Sequence, residues 1–146
     1  IRFNRRDLGR IVSNGTPSAL GSSFRRMDHF LGRSDDMVKI RGNNIYPMGC
    51  LSAVRSDPRT TGEWICIAER EVKDRVIRDT MTVEVEVRKD AGALDGLREH
   101  LEARLKADLG LKVAVRLVEP GALDEKANLG REGKPRRLLD LRNKAK

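Results

Sequence analysis

Aromatic residues are scarce in this chain of 146 residues, at 3% of the composition. Proteins that read single-stranded nucleic acid stack its bases on exposed aromatic rings, so this class is disfavoured. The two cysteines, Cys50 and Cys66, are too few for a disulfide scaffold or a four-thiolate metal site, and we predict that they are buried structural thiols. No apolar run reaches the roughly 18–20 residues of a membrane span, and the first residues lack the apolar core of a signal peptide. We therefore expect a cytoplasmic protein with no membrane partner.

Positive charge is concentrated at the two ends of the chain. The net charge is +8, which divides into +5 for residues 1–41, −3 for residues 42–125 and +6 for residues 126–146. A chain with basic ends and a mildly acidic middle is expected to meet an anionic partner at those ends.

Alternation of apolar residues predicts strands in the second half of the chain. Met81–Val87 carries apolar side chains on one face and polar side chains on the other, which is typical of a half-buried strand. Both faces of Glu63–Glu69 are apolar, so we expect both to be covered. The charged stretch Val72–Thr80 predicts an exposed hairpin loop, and Lys112–Val118 predicts another strand.

Leucine spacing predicts the main helix at Ala93–Leu109, with Gly110 as its C-cap. A shorter helix is predicted from Pro47 to Arg55, after a turn at Gly42–Asn44. The order after residue 42 is then helix, strand, strand, helix, strand. This order predicts an α+β fold, a small ferredoxin-like domain with an antiparallel sheet and helices on one face. Residues 1–34 would be an N-terminal appendage to it.

The common catalytic patterns are missing. His29 and His100 are the only histidines, and we interpret both as solvated surface side chains. No phosphate-binding loop with a following Lys-Ser or Lys-Thr is present. The adjacent acids Asp35 and Asp36 lie in a predicted turn, and two acids in a turn are weak evidence for a metal site. We predict that the chain binds no metal.

Two segments combine unusual charge with glycine. Gly32–Gly42 surrounds a short predicted strand with basic and acidic residues, and Arg131–Arg137 is basic and contains Gly133. Taken singly, they are explained as a charged hairpin and a solvated tail. Taken together, they resemble the hinge motif and the C-terminal lysine motif of adenylate-forming enzymes of the phenylacetate–CoA ligase type. Arg2–Leu8 resembles the motif that precedes the hinge, and the resemblance runs from residue 1 to residue 142.

The resemblance implies a role for each matching residue. Asp7 would bind the ribose hydroxyls of the nucleotide, and Arg33 would face the same nucleotide near its ribose and phosphate. Asp35 would be the hinge about which a C-terminal domain rotates. Lys134 would be the catalytic residue, because it would bridge the substrate carboxylate and the α-phosphate during adenylation.

The resemblance also implies substrates and domains. Lys39, Arg41 and Gly42 would form the loop that approaches the catalytic site on the CoA side in the thioester-forming state. The substrates would be ATP, CoA and a carboxylic acid, and ATP would be converted to AMP. The family's usual carboxylic acid is phenylacetate or another aryl acid. Residues 1–34 would be the tail of a large N-terminal domain with its linker, and residues 35–146 the mobile lid. Mg²⁺ would bind the full-length enzyme and not this part.

The chain begins without Met inside a strand-like stretch, so we expect a piece of a longer polypeptide. Its partner would be the missing N-terminal adenylation domain, and the chain alone would be inactive. Residues 1–34 would be extended, disordered or paired with another copy, which leaves a homodimer open. Two other functions also stay open. A small nucleic-acid-binding module would use the basic ends, although low aromatic content and the acidic middle count against it, and a ferredoxin-like regulatory domain would act by dimerisation.

Overall fold

The computed structural model describes residues 7–13, 17, 19, 21, 24–33, 36–73, 75–130 and 135–142. These residues form eight strands, two α-helices and a 3₁₀ turn at Pro47–Cys50 that leads into the first helix. The strands are β1 Asp7–Ser13, β2 Arg26–Arg33, β3 Val38–Ile40, β4 Asn43–Ile45, β5 Thr60–Lys73, β6 Val76–Val87, β7 Ala114–Val118 and β8 Leu138–Asp140. The helices are α1 Leu51–Arg55 and α2 Leu97–Leu109. Neither has the length and hydrophobicity to cross a membrane, and the described part of the chain holds no other helix that does.

The main sheet has four strands in the order β7-β6-β5-β8. The α+β class is therefore confirmed, but the sheet is mixed and not antiparallel throughout. The central pair β5–β6 is antiparallel, whereas β7 is parallel to β6 and β8 is parallel to β5. Strands β6 and β7 are parallel because α2 lies between them in the sequence and carries the chain back along the sheet before β7 begins. Parallel strands require such a crossover.

Both helices cover one face of this sheet, as predicted. Trp64, Cys66 and Ala68 of β5 are buried there, together with the apolar residues of β6. Helix α2 contributes Leu97, Leu101 and Leu105, each with no exposed surface. The indole nitrogen Nε1 of Trp64 donates to the backbone oxygen of Pro47 at 3.2 Å. This bond satisfies the ring's one polar group inside the core.

The opposite face is covered by residues 119–130, which form a series of turns. Ile65 and Ile67 of β5 pack there against Leu123 and Ala127. Both faces of β5 are thus covered, as the sequence predicted. The prediction of a strand at 81–87 is confirmed, but that of a half-buried one is wrong, because Glu84 and Glu86 on its other face are buried and bind Lys126 and Gly121 of the same turns.

The predicted loop at 72–80 is also wrong, because β5 and β6 continue as one long hairpin with Lys73 opposite Val76. Alternating charges at 69–79 hide this strand, because they replace the apolar face that normally marks one. Helix α2 begins at Leu97, four residues later than predicted, because Gly96 has a left-handed φ of 69°. Its end at Gly110, with φ 68°, is as predicted.

The described residues before position 34 form an antiparallel hairpin, β1–β2, that is separate from the four-stranded sheet. Its two strands pair with each other within the chain, and the pairing of this segment with another copy stays a prediction. The division of the chain at residues 34 and 35 stays a prediction, since both the hinge residue Asp35 and Ser34 lie outside the described residues.

Candidate functional site

An open groove of about 730 Å³ lies beside the β3–β4 turn and the β5–β6 hairpin. Among the described residues it is lined by Lys39, Arg41, Gly42, Arg70, Ile77, Arg78, Asp79 and Arg142. All three residues predicted on the CoA side therefore line one cavity. Five of these eight residues are cationic and one is anionic, so the groove favours an anionic ligand.

The β3–β4 turn places Arg41 at the groove. Its two central residues both have positive φ, 48° at Arg41 and 85° at Gly42, which is the signature of the tight turn that suits a two-residue hairpin. A Cβ added at Gly42 would meet no atom within 4 Å, so the backbone conformation, not crowding, favours glycine. The guanidinium Nε of Arg41 donates to the backbone oxygen of Asp79 at 3.3 Å, which ties the turn to β6.

Asp79 is the central acid of the groove. Its Oδ1 accepts from Nε of Arg70 at 3.0 Å, and its Oδ2 accepts from Nη1 of Arg142 at 3.0 Å. These hydrogen bonds, that from Arg70 first, hold the pKa of Asp79 below its usual range. Asp79 is consequently ionised at neutral pH and fixes two guanidinium groups beside each other.

Arg142 connects the end of β8 with β3. Its Nε and Nη2 bind the two carboxylate oxygens of Asp140 at 2.9 and 2.6 Å. Its Nη1 also donates to the backbone oxygen of Lys39 at 2.8 Å. The paired carboxylates, Asp140 first, raise the pKa of Arg142 above its usual value. The segment that follows the predicted lysine motif is thereby joined to the predicted CoA-side loop.

The groove retains unpaired positive charge. Among the ion pairs of residues 36–73, 75–130 and 135–142, none involves Lys39, Arg41 or Arg78. Arg78 stands opposite Glu71 in the β5–β6 register without pairing with it. These three side chains can therefore take a ligand without first breaking an ion pair.

The predicted nucleotide residues Asp7 and Arg33 are brought together in the backbone, since they are direct partners in the β1–β2 register. The structure describes their backbone and not their side chains. The predicted hinge Asp35 and the predicted catalytic Lys134 lie outside the described residues. The roles of all four stay predictions.

The described residues on either side of positions 131–134 are held against the sheet. The backbone nitrogen of Arg136 donates to the oxygen of Ala127 at 2.7 Å, and Ala127 is fully buried. The guanidinium of Arg137 lies 4.2 Å from the centre of the Trp64 ring and forms an ion pair of 2.7 Å with Glu63. A solvated tail is therefore the wrong interpretation for Arg137.

The cysteines lie far from solvent, as predicted. Cys50 and Cys66 are fully buried free thiols that form no disulfide, and their Sγ atoms share a hydrogen bond of 3.6 Å. The hydrogen bond with Cys66, together with burial, raises the pKa of the Cys50 thiol well above its usual value. Because the thiolate is the reactive form, this pKa favours a packing role.

Sequence reasoning missed five residues of the groove, which are Arg70, Ile77, Arg78, Asp79 and Arg142. The first four lie in the charged stretch that was predicted as a loop, or just before it, and the last was assigned to a basic tail. Continuing the two-residue alternation of β5 and β6 through residues 69–79 would have placed Arg70 opposite Asp79.

The fold and the joined segments belong to a known class. A family model described as "AMP-binding enzyme C-terminal domain" matches residues 42–142. That match covers more than half of the chain, so the chain belongs to the family of AMP-binding enzyme C-terminal domains.

The curated relatives sharpen this class. The chain is 31% identical over 150 residues to the phenylacetate-coenzyme A ligase of Aromatoleum evansii, which covers 99% of the chain and 31% of that protein. It is also 31% identical over 148 residues to the phenylacetate-coenzyme A ligase of Escherichia coli K12, covering 98% of the chain and 31% of that protein. The resemblance to phenylacetate–CoA ligases is thus confirmed. The chain spans less than one third of the length of these relatives.

Solved structures share the fold. A 2-hydroxyisobutyryl-CoA ligase in the postadenylation state matches 92% of the chain and 27% of its own, with 28% identity and a TM-score of 0.69. A domain of a phenylacetate-coenzyme A ligase from Bacteroides vulgatus matches 75% of the chain and 95% of its own, with 28% identity and a TM-score of 0.59.

Proposed function

We propose that the chain is the C-terminal part of an AMP-forming carboxylic acid–CoA ligase. The full enzyme would convert an acid, ATP and CoA to an acyl-CoA, AMP and pyrophosphate through an acyl-adenylate. The observation that carries this proposal is the alignment of 99% of the chain with a phenylacetate-coenzyme A ligase. The same relatives support an aryl acid such as phenylacetate as the substrate.

Both half-reactions find support among the structural relatives. One 2-hydroxyisobutyryl-CoA ligase structure, with a TM-score of 0.60, holds its acyl-adenylate 2-HIB-AMP and CoA in the thioesterification state. The postadenylation structure of the same ligase holds an acyl-adenylate. We therefore assign ATP, AMP and CoA to the full enzyme to which this chain belongs.

In this proposal Lys134 acts in the first half-reaction. A carboxylate that attacks the α-phosphate meets an anion that repels it, and a lysine ammonium placed between them would stabilise the charge of the transition state. The described residues on either side of the motif are joined, because the backbone nitrogen of Arg136 donates to the oxygen of Ala127.

The other assigned residues complete the proposal. Asp7 and Arg33, opposite each other in the hairpin, would bind the nucleotide, and Asp35 would be the hinge of the lid formed by residues 35–146. The acyl pocket, the phosphate loop and the Mg²⁺ that accompanies ATP would belong to an N-terminal adenylation domain. The chain alone is therefore expected to have no ligase activity.

The first prediction concerns the two half-reactions of the full-length enzyme. Lys134→Ala should lower the rate of acyl-adenylate formation by about 100-fold, the usual cost of one lost electrostatic contact to a transition state. Thioester formation from supplied acyl-adenylate and CoA should change by less than about threefold, because the lysine has no part in that step. Pyrophosphate release and acyl-CoA formation, measured separately, report the two rates.

Lys89→Ala is the matched control, because Lys89 is an exposed lysine of the same domain that lies outside the groove. It should leave both rates unchanged. Equal losses in both half-reactions for Lys134→Ala would contradict its assignment to adenylation. Absence of acyl-CoA formation by the wild-type enzyme with every aryl acid tried would contradict the aryl substrate.

A further inference from the structure

We propose that Cys50 and Cys66 form a disulfide bond with each other when a peroxide reaches them. The sequence contains no other cysteine, and the structure brings the two Sγ atoms to 3.6 Å. The bond would fasten the 3₁₀ turn before α1 to β5, an inner strand of the four-stranded sheet. This inference does not depend on the proposed ligase function, because it uses contacts within this chain alone.

The two sulfur atoms are close although the cysteines are 16 positions apart in the chain. A disulfide holds its sulfur atoms about 2.05 Å apart, so the two thiols would have to approach by about 1.5 Å. Because they share a hydrogen bond, the two side chains point towards each other and not into separate parts of the core. A disulfide therefore requires a local adjustment and leaves the fold as it is.

The backbones of the two cysteines are held with different firmness. Cys66 lies within β5, where it is the register partner of Val83 in β6 and of Leu138 in β8. Cys50 ends a four-residue 3₁₀ turn, a structure whose hydrogen-bond geometry is poorer than that of an α-helix. A short turn adjusts more easily than a strand that is paired on both sides. We therefore expect Cys50 to move towards Cys66 when the bond forms.

The surroundings of the pair favour a disulfide over a metal site. A structural metal site needs further ligands, and within the described residues no group of three or more His, Cys, Asp or Glu side chains could hold an ion. Packing describes the reduced state, in which both thiols are buried and the pKa of Cys50 is raised. Since the thiolate is the reactive form, this environment slows oxidation and restricts it to a small oxidant or to moments when the core opens.

The reaction balances with hydrogen peroxide as the oxidant. The thiolate of one cysteine attacks a peroxide oxygen, the O–O bond breaks, and the leaving hydroxide takes up a proton to become water, which leaves a sulfenic acid on the protein. The second sulfur attacks the sulfur of this sulfenic acid, the S–S bond forms, and a second water leaves. Two electrons thus pass from the two thiols to one peroxide. The 3.6 Å separation makes the second step intramolecular and favours it over further oxidation.

The direct test treats the folded 146-residue chain with hydrogen peroxide, alkylates the remaining thiols in denaturant and measures the intact mass. The expected product has lost two hydrogen atoms, carries no alkyl label, and yields joined peptides of Cys50 and Cys66 in a non-reducing digest. Dithiothreitol should restore both thiols. Oxidation of the four methionines is distinguished because it adds oxygen and is not reversed by this reagent.

Cys50→Ala and Cys66→Ala are the matched controls for this test. Each keeps one of the two thiols, so neither variant should give a monomer that has lost two hydrogen atoms. Circular dichroism establishes that both variants are folded. If either variant gave the same product as the wild type, the assignment of the bond to this pair would be wrong.

Thermal unfolding of the oxidised and reduced chains supplies a second measurement. A disulfide that closes a loop of about 15 residues restricts the unfolded chain, so the melting temperature should rise by at least about 5 °C on oxidation. Dithiothreitol should return it to the value of the reduced chain. The circular dichroism spectrum should be the same in both states, since only the turn moves.

Several results would overturn the inference. They are two alkylated thiols in a chain whose methionines have been oxidised, disulfide-linked dimers as the main product, oxidation that stops at a sulfenic or sulfinic acid, and a melting temperature that falls when the bond forms. The last of these would mean that the bond strains the fold and that the two thiols serve packing alone.

Discussion

The two faces of the four-stranded sheet are covered by different kinds of structure. The face under α1 and α2 is an apolar core around Trp64, in which Cys66, Val83 and Val85 are fully buried. The face under residues 119–130 has a smaller apolar cluster, and Glu84 is buried beside it with only 1% of its surface exposed. The comparison shows that turns can bury a sheet as completely as helices do, provided that they also satisfy its polar groups.

Glu84 shows how the polar groups are satisfied. Its two carboxylate oxygens pair with Arg116 of β7 at 3.0 Å and with Lys126 of the turns at 2.8 Å. The carboxylate of Glu86 accepts from the backbone nitrogen of Gly121 at 3.0 Å. The turns are therefore fixed to the sheet through its buried carboxylates as well as by apolar contacts. The helices are fixed by apolar packing and by hydrogen bonds such as that from the backbone nitrogen of Val115 to the carboxylate of Glu102 in α2, at 3.0 Å.

The largest expected effect compares one leucine from each face. Leu101 and Leu123 are both fully buried. Leu101→Ala should reduce the free energy of unfolding by about 3–5 kcal/mol, because a cavity between a helix and a sheet closes poorly. Leu123→Ala should cost about 2–3 kcal/mol, because turns can collapse further into the space. Urea denaturation of the 146-residue chain measures both values.

An isosteric change at each site provides the control. Leu101→Met and Leu123→Met should each cost less than about 1.5 kcal/mol, since volume is conserved. If Leu123→Ala were the more damaging truncation, the turns would be the more rigid cover and the comparison would be reversed.

The second effect isolates the buried charge. Glu84→Gln keeps the shape of the side chain but removes the charge that Arg116 and Lys126 share, and its amide places a donor against one of them. We expect a loss of about 1.5–3 kcal/mol, the value of a hydrogen bond to a charged group. Glu86→Gln is the matched control, because its amide oxygen can still accept from Gly121, and it should cost less than about 1 kcal/mol.

Thermal unfolding monitored by circular dichroism distinguishes the two glutamine variants. Similar losses in both would mean that the charge of Glu84 contributes nothing beyond its hydrogen bonds. In that case the two faces would differ in composition alone and not in how they are held.

The smallest effect tests an ion pair outside either core. Asp57 and Arg59 form a bond of 2.8 Å, and the hydrogen bonds from Arg59 lower the pKa of Asp57 to about 2. Because the unfolded pKa is about 3.9, this pair stabilises the fold above that pH and stops doing so as pH falls towards 2. Asp57→Asn should therefore cost about 0.5–1 kcal/mol at pH 6 and less than about half of that near pH 2.

Melting temperatures of the wild type and Asp57→Asn between pH 6 and pH 2 measure this convergence. A difference that stayed constant over the whole range would show that the hydrogen bond to the Arg59 backbone matters and the charge does not. If Asp57→Asn lowered the free energy of unfolding as much as Glu84→Gln does, burial would not explain why the ion pairs of Glu84 stabilise the fold more than the exposed pair of Asp57 and Arg59.

The strands and the helix whose apolar residues recur at regular spacing could be predicted from the sequence. Met81–Val87 as a strand, the leucines of α2 and the two covered faces of β5 all follow from the spacing of buried side chains. The direction of β7 and β8 did not follow, because alternation is the same in parallel and antiparallel strands. The turns at 119–130 were also missed, since a polar segment with two buried residues, Leu123 and Ala127, has no period to detect.

The candidate site was predictable in part. The glycine-containing turn with Lys39, Arg41 and Gly42 was found through a motif, and the structure brings these residues together at one groove. Arg142 could not be assigned there from its neighbours in sequence. It reaches the groove only because β8 pairs with β5, and this contact between distant segments depends on the whole fold.

The pairing of β8 with β5 also bears on synthesis of the protein. Strand β5 is translated long before residues 138–140, so on a ribosome its outer edge has no partner in this sheet until they emerge. An open edge is a template for intermolecular pairing. This edge of a nascent domain is consequently open to aggregation until the last stage of its translation, and a premature stop codon before Leu138 would make that exposure permanent.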